Sequence, residues 1–437
     1  MPKGVEVQIT IFDEKSTVGG RIVLPAKHNQ YYLYAEDVAG GNLLASGALR
    51  ERAEAIKSEV GKKKAPSGVR EVGFFDGNGM VAQFKRPVSE TSWRSWLGLV
   101  LKYGASVWRA KILPTGTMAR WTRLLALTQN GRYASVDEIV EVGGVSDTVS
   151  LSAKERLGIN GIGEKYNKEV VAPQLLRQLG QGIEEISDLA LSMALERENE
   201  IMAAGIYAGS FEKLMDLFLK KSKANLRLQT RVTSIRRDVN GWVIGINGAE
   251  EEMFDKLIIA APWNTSSLLQ QQEEVYYRSV WVTFLVTENK LNAGYFKSSS
   301  VPDQILPIQG PGQVKELEGI HEIAFLRPIF GPDLAPTSVK YLYRVLSSSP
   351  ISKLAVKTFG EAGVVEVIEE EIQNAYPLLF PRPQSETLGK FEILDGVWHT
   401  SIAESVASSI DLSWVVGENV GRLVGAAIEL ESKSKKG

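Results

Sequence analysis

The segment Gln8–Arg21, QITIFDEKSTVGGR, constrains this chain more than any other. Val5–Phe12 (VEVQITIF) is β-branched and loosely alternating, which predicts a strand. Asp13 stands at its carboxyl end and Glu14 follows. After a short spacer come Gly19, Gly20 and Arg21. At the end of the second strand of a dinucleotide-binding unit, an acidic side chain accepts hydrogen bonds from the ribose hydroxyls. Paired glycines let backbone amides approach a phosphate or a ring closely, and an arginine fork pairs with a phosphate. A surface acid or a glycine loop satisfies each part alone. Strand, acid, spacer and Gly-Gly-Arg in that order are far more specific to a nucleotide site.

The totals exclude several other classes. The chain has 437 residues, 44% of them hydrophobic, which is enough for two packed domains. With 50 Lys+Arg against 52 Asp+Glu, no strongly basic face for nucleic acid is expected. Without cysteine there is no thiol chemistry and no disulfide. The only histidines, His28, His321 and His399, are too scattered to suggest a metal site. The most apolar long window, Trp93–Trp108, contains Arg94 and Lys102 and is too short to span a bilayer. The first ten residues, MPKGVEVQIT, lack the apolar core of a signal peptide.

Along the chain, Leu43–Val60 predicts a helix. Val72–Phe84 predicts a hairpin turning at Asp76–Gly79. From Ser89 to about residue 200 the pattern is helical: Ser135–Val142, Glu164–Leu179 and Ile183–Arg197 repeat apolar residues at helical spacing, and Ser135 with Glu138 has the form of a capping box. Phe211–Ser222 is another helix. Strands are expected at Leu226–Thr230, Arg231–Asp238 and Gly241–Asn247, with Asn240-Gly241 as a turn. Phe254–Ala261, ending at Pro262, reads as a buried parallel strand. Val275–Val286, Glu322–Leu326 and Ser338–Leu346 predict a second sheet, Val364–Ala375 a helix, Pro377–Pro383 a loop, Gly396–Trp398 a strand end and Ile410–Leu430 a last helix. Such an order implies an α/β chain with interleaved domains: 1–50, 205–262 and 385–437 on the nucleotide side, 51–204 and 263–384 on the substrate side.

ITIFDEKSTVGGR resembles the second-strand signature of FAD-dependent amine-oxidase-like enzymes. WLGLVLKYGASVWRAK (96–111), YASVDEI (133–139) and EKYNKEVVAPQLLRQLGQ (164–181) resemble segments of one branch, the prenylcysteine oxidases, also called prenylcysteine lyases. The likeness is weak per residue but runs in order over nearly the whole chain. It implies an incomplete Rossmann-type FAD-binding domain of the glutathione-reductase type. Asp13 or Glu14 would meet the ribose, and Gly19, Gly20 and Arg21 a phosphate or ring. Val232 would give a backbone contact to adenine. Ala261 and Pro262 fall in the crossover after the DKLIIAAP strand, and Glu404 and Asp411 in the C-terminal flavin segment. Each of these residues also has a plain reading as strand end, core valine or helix-start acid.

The resemblance further implies oxidation of the carbon next to sulfur in farnesyl- or geranylgeranyl-cysteine. The products would be cysteine, a prenyl aldehyde and, with molecular oxygen as acceptor, hydrogen peroxide. The cofactor carries the hard step. Trp96, Tyr103 and Trp108 are the candidates for an apolar prenyl slot. Trp93 and Trp121 lie in the same helical block, and Tyr276, Tyr277 and Trp281 on the second sheet; packing in the core or at the surface explains any single one of them better. No residue is assigned as catalytic base.

Three departures stand out. No Gly-x-Gly-x-x-Gly precedes the acid, so the chain opens at the second strand of such a unit, as an N-terminally truncated member would. Ala208-Gly209-Ser210 replaces the family's Gly-Gly-Asn, and Arg177-Gln178-Leu179-Gly180-Gln181 replaces its Arg-x-x-Tyr-Gly-Gln. Two other readings stay open: another flavin oxidase of secondary metabolism, and a non-catalytic relative that binds an apolar ligand. Family members are often lysosomal or vacuolar.

Overall fold

The computed structural model of the protein describes residues 6–20, 70–86, 91–199, 218–262, 275–310, 315–329 and 339–434. Its largest element is a sheet of seven strands in the order β13-β9-β12-β11-β10-β2-β3. The members are β2 (Arg70–Phe75), β3 (Met80–Arg86), β9 (Tyr277–Thr287), β10 (Gln304–Pro307), β11 (Ile320–Ile329), β12 (Lys340–Ser347) and β13 (Val364–Pro377). All neighbours run antiparallel except β10 and β2. The β2–β3 hairpin turns where Asp76 accepts from the amides of Asn78 (2.7 Å) and Gly79 (3.0 Å) through Oδ1. Apolar clusters line both faces of the sheet, around Leu285, Tyr343 and Val345 on one and around Phe284, Leu342 and Tyr376 on the other.

Residues expected to form a helix at Val364–Ala375 form β13, paired with β9 along nearly its whole length. Val364 and Val367 pack with one buried cluster, Ile368 and Ile372 with another. Their spacing imitates a helix, but β-branched residues between two packed layers fit a strand better.

The helical block comprises α1 (Trp93–Tyr103), α2 (Ser106–Ile112), α3 (Pro114–Thr128), α4 (Val136–Gly143), α5 (Ser146–Ser150) and α6 (Ala153–Ile159). A π-turn at Asn167–Val171 leads into α7 (Ala172–Leu179), and α8 (Asp188–Asn199) closes the block. Ser135 caps α4 by accepting from the Glu138 amide, while the Glu138 carboxylate reaches the Ala134 amide at 2.7 Å. The full reciprocal box is instead Ser152 with Glu155 on α6.

The chain returns to this block at its carboxyl end. After α9 (Ser352–Phe359), β14 (Glu392–Leu394) and β15 (Val397–His399), the long α10 (Ile410–Ser434) packs Leu412, Val415 and Val416 into one cluster with Trp121, Leu124 and Leu125. Arg422 donates to the carbonyls of Thr128 (2.9 Å), Gln129 (2.7 Å) and Gly131 (2.7 Å), satisfying the end of α3. Asn419, fully buried, exchanges two 2.9 Å hydrogen bonds with the backbone of Tyr133.

Smaller sheets stand apart. β1 (Thr10–Phe12) pairs parallel with β4 (Asn225–Arg227). β5 (Val232–Asp238), β6 (Gly241–Ile246) and β7 (Glu250–Phe254) form a meander turning at Asn240-Gly241. β8 (Leu257–Ile259) pairs parallel with β15, which pairs with β14. β8 is parallel as expected but is not buried: Ile258 faces solvent and its neighbours are half-exposed.

Candidate functional site

The strand–acid motif folds into a tight arrangement with the start of the meander. The Asp13 amide donates to the Arg227 carbonyl (3.1 Å), and the Asp13 carbonyl accepts from the Thr230 amide (2.9 Å). The Asp13 carboxylate accepts from the Lys15 amide at 2.9 Å, which fixes its direction at the strand end. Gln229, in the left-handed region at φ 53°, donates its amide to the Lys15 carbonyl at 2.9 Å. Glu14 is exposed and 3.7 Å from Arg231. Val232 opens β5 one residue later. Asp13, Glu14 and Val232 therefore share one edge of the molecule. Phe12 is sandwiched in sequence-distant company: its ring meets Phe254 edge-on at 5.9 Å, and Arg227 lies over it at 5.1 Å.

Gly19 and Gly20 hold φ values of 126° and 56°, which an L side chain rarely adopts. A Cβ added at Gly20 would meet no atom within 4 Å, so it is backbone conformation rather than space that requires glycine there. Arg21 and the turn Tyr207–Ser210 lie outside the described residues, as do His28 and Leu43–Val60.

A second cluster forms around the β8–β15 ladder. The Thr400 amide donates to the Ile259 carbonyl (3.0 Å), and the Ser401 hydroxyl to the Ala261 carbonyl (3.0 Å). Pro262 follows directly. Glu404, on the short 3₁₀ turn Ser401–Ser405, accepts from the Tyr277 hydroxyl at 2.8 Å, which joins this cluster to the large sheet. Ser409 accepts from the Leu412 amide at 3.1 Å, so it caps α10, and Asp411 is buried in that helix's first turn. His399 is fully buried at the end of β15. Burial pulls its pKa down to about 3 against the opposing pull of the Ala261 carbonyl, so the ring is neutral at pH 7. Neither His399 nor Ser401 belongs to a sequence motif. Their signal is positional, at the carboxyl end of a parallel strand where α/β folds place ligands.

The aromatic candidates do not converge. Tyr103 is buried on the β2–β3 side. It donates to Glu169 at 2.8 Å beside the Lys102–Glu169 pair (2.7 Å), with Tyr166 edge-on at 5.2 Å. Burial, then the Glu169 bond, pushes its hydroxyl pKa well up. Trp96 is half-buried against the same cluster. Trp108 is 61% exposed and Trp93 70%, while Trp121 is a core residue. Tyr276 is exposed, and Tyr277 and Trp281 are half-buried on β9.

A polar network that no sequence motif announced lies between α7 and the large sheet. Arg344 grips the fully buried Glu322 carboxylate through Nε (3.0 Å) and Nη2 (2.7 Å). Gln304 donates to the other Glu322 oxygen, and Arg177 stands 3.9 Å from it. Burial pushes the Glu322 carboxyl up. The Arg344 and Arg177 guanidinium groups outweigh that push and hold it below the usual carboxylate range. Neighbouring His321 is buried, and burial, helped by Arg278, lowers its pKa to about 4. The one available signal was the opposite charges on two expected strands, Glu322 and Arg344. They are diagonal neighbours, because Ala324 stands opposite Arg344.

The comparisons with known proteins agree on the kind of molecule. Among solved structures, a putative protoporphyrinogen oxidase from Exiguobacterium superposes with a TM-score of 0.55 at 10% identity, covering 97% of this chain and 93% of that one. A fatty acid isomerase from P. acnes gives 0.54 at 14% identity, covering 94% and 90%. At these identities the likeness establishes the fold alone, a mixed α/β fold shared with oxidoreductase structures. A prenylcysteine oxidase 1-like protein of Bos taurus is 24% identical, over 96% of this chain and 85% of its own. The farnesylcysteine lyase of Arabidopsis thaliana is 23% identical, over 96% and 82%. The profile of the family described as "Prenylcysteine lyase" matches residues 88–436, most of the chain, including β9 to β13 of the large sheet and the whole of α10. The protein therefore belongs to the prenylcysteine lyase family.

Proposed function

We propose that the protein is an FAD-dependent oxidase of prenylcysteine thioethers. The observation that carries this reading is the family match over residues 88–436 on a flavin-oxidoreductase fold. The residues present fit the cofactor. Asp13, held at a strand end, is suited to a ribose diol, and the left-handed backbone of Gly19-Gly20 to close approach by a phosphate or ring. Val232 borders the same edge. Ala261, Pro262 and Glu404 sit where the β8–β15 ladder meets the start of α10, whose N-terminal amides favour negative charge. Bound flavin supplies a two-electron acceptor.

The overall reaction balances as prenylcysteine, oxygen and water giving cysteine, prenyl aldehyde and hydrogen peroxide. The carbon next to sulfur loses two electrons and a proton and gains the water oxygen. The carbon–sulfur bond then breaks, with the thiol taking the proton. The chain's own part is to bind, orient and exclude water. The His399 ring, neutral and buried, adds no positive charge to the ladder end. The Tyr277–Glu404 bond keeps the Glu404 carboxylate turned to the large sheet.

The test is to load the purified full chain with FAD, record its visible spectrum, and add farnesylcysteine. Flavin bands with aldehyde and peroxide formed one to one are expected. A protein that stays colourless with excess FAD, or a flavoprotein that leaves farnesylcysteine intact, overturns the proposal.

A further inference from the structure

Helix α1 is apolar on two sides. Its inner side, Trp96, Leu99 and Tyr103, packs on the β2–β3 layer. Its outer side carries Trp93, Leu97, Val100 and Leu101, at i, i+4, i+7 and i+8, one stripe on a helix. All four face solvent, Trp93 by 70% and Leu101 by 78%. An apolar stripe on a helix ordinarily faces a core. The turn at Gly104 (φ 60°) leads directly into α2, which exposes Trp108 and Ile112 while burying Val107 and Ala110. Exposed apolar stripes of this kind mark interaction surfaces.

The charge around the stripe selects the partner. Over α1 and α2, residues 93–112, the chain has Arg94, Lys102, Arg109 and Lys111 and no Asp or Glu, although acids outnumber bases over the whole sequence. Arg94 lies over the Trp93 ring at 5.5 Å, at the border of the stripe. Lys111 is exposed on α2, and Arg109 on the same helix donates to the Gly161 carbonyl. The acid facing this region from the neighbouring π-turn is Glu169, which is taken up by Lys102 and Tyr103. Tryptophan and leucine on one side with arginine and lysine beside them form the pattern of helices that lie in a membrane interface. Among the described residues no helix is long and apolar enough to cross a membrane, so this contact would be one of lying on the surface.

We infer that the outer face of α1 and the adjoining α2 dock on an anionic phospholipid surface. The binding itself does not depend on the oxidase reading. Combined with that reading, it puts the enzyme at the layer into which a prenyl chain partitions, with Trp93 and Trp108 at the headgroup level.

Flotation of the full chain with phosphatidylcholine vesicles, with and without about a third phosphatidylserine, tests this. Wild type is expected to float with the anionic vesicles, and less with the neutral ones. Leu97→Glu/Leu101→Glu, two solvent-facing positions, is expected to weaken partition by about tenfold or more with an unchanged thermal melt. Arg94→Gln is expected to weaken it by about fivefold, on anionic vesicles only. Absence of wild-type binding to either vesicle overturns the inference, as does undiminished binding by the Leu97→Glu/Leu101→Glu variant. So does a concentration-dependent dimer that the same variant abolishes while vesicles stay unbound, since a second copy would then be the occupant. Vesicle binding is read without turnover. A chain that floats but leaves farnesylcysteine intact retires the oxidase proposal alone, and an active chain that never floats retires this one alone.

Discussion

The two halves of the molecule solve the problem of polar groups in opposite ways. In the large sheet, strands of up to 14 residues pair along their length, and the charges that lie inside, Glu322 and Arg344, are fully engaged with each other. In the smaller ladders, β1, β4, β8 and β15 have three residues each, and the half-buried Asp13 follows β1 at its carboxyl end. A sheet of the first kind is complete without a ligand. Ladders of the second kind make few backbone bonds of their own and gain most from anything that binds only the folded state. On the proposed reading, the large sheet is a fixed wall and the short ladders are a surface finished by what they hold.

The sharpest way to break this contrast is at Glu322. Glu322→Ala leaves two guanidinium groups buried without their carboxylate and is expected to cost about 3–5 kcal/mol in a urea melt. Replacing Glu322 and Arg344 together by methionine is expected to recover most of that loss. A single-variant cost within about 0.5 kcal/mol, the range of an ordinary surface change, would mean the wall does not depend on this pair.

Cofactor binding comes next. FAD at about 100 times its dissociation constant is expected to add about 2.7 kcal/mol of stability. The extra hydrogen-exchange protection should fall on residues 10–20, 225–232 and 397–412 rather than on β9 and β12. Uniform protection would erase the distinction between wall and ladder. Asp13→Ala is expected to weaken FAD binding by roughly tenfold and leave the apo melt unchanged.

Acid tests both halves at once. His321 and His399 have folded pKa values of about 4 and about 3, below the ordinary histidine value, because burial disfavours the charged ring. The unfolded chain therefore binds more protons below about pH 6.5, and stability falls as pH drops from there toward 4. Glu322, held below its usual range, works in the same direction at lower pH. Melts at a series of pH values are expected to show a decline that His321→Asn or His399→Asn flattens. A stability curve level from pH 6.5 to 4.5 would contradict the buried neutral rings. The smallest effect is expected from Tyr277→Phe, which removes the bond to Glu404 between the two halves and should cost about 1 kcal/mol.

Legibility followed the range of the forces involved. The turns at Asp76–Gly79 and Asn240-Gly241, the cap at Ser135 and the last helix are set by neighbours in sequence and could be read there. The strand at β13 could not, because valine and isoleucine at helical spacing, next to three consecutive glutamates, suit a helix until β9 is available as a partner. At the candidate site, the strand leading to Asp13 and the left-handed Gly19 and Gly20 are local features and were readable. His399, Ser401 and the Glu322–Arg344 pair needed the register of strands far apart in the chain. Trp108 was read as part of an apolar slot on the strength of its residue type alone, and type does not say which side of a helix faces out. It is 61% exposed on α2.

The clamp of Arg422 and Asn419 on the end of α3 bears on how the chain comes to be folded at all. The carbonyl partners at Thr128, Gln129 and Gly131 and the backbone of Tyr133 lie roughly 290 residues before the side chains that satisfy them. Synthesis proceeds at about 5–20 residues per second, so these helices leave the ribosome well before their closing piece exists. The helical block waits, open along the side that holds Trp121 and Leu125, until the last few dozen residues emerge. A chain stopped short of α10 is accordingly expected to be captured by chaperones, and pulse proteolysis of stalled chains would show cleavage within α3 that disappears once Arg422 is added.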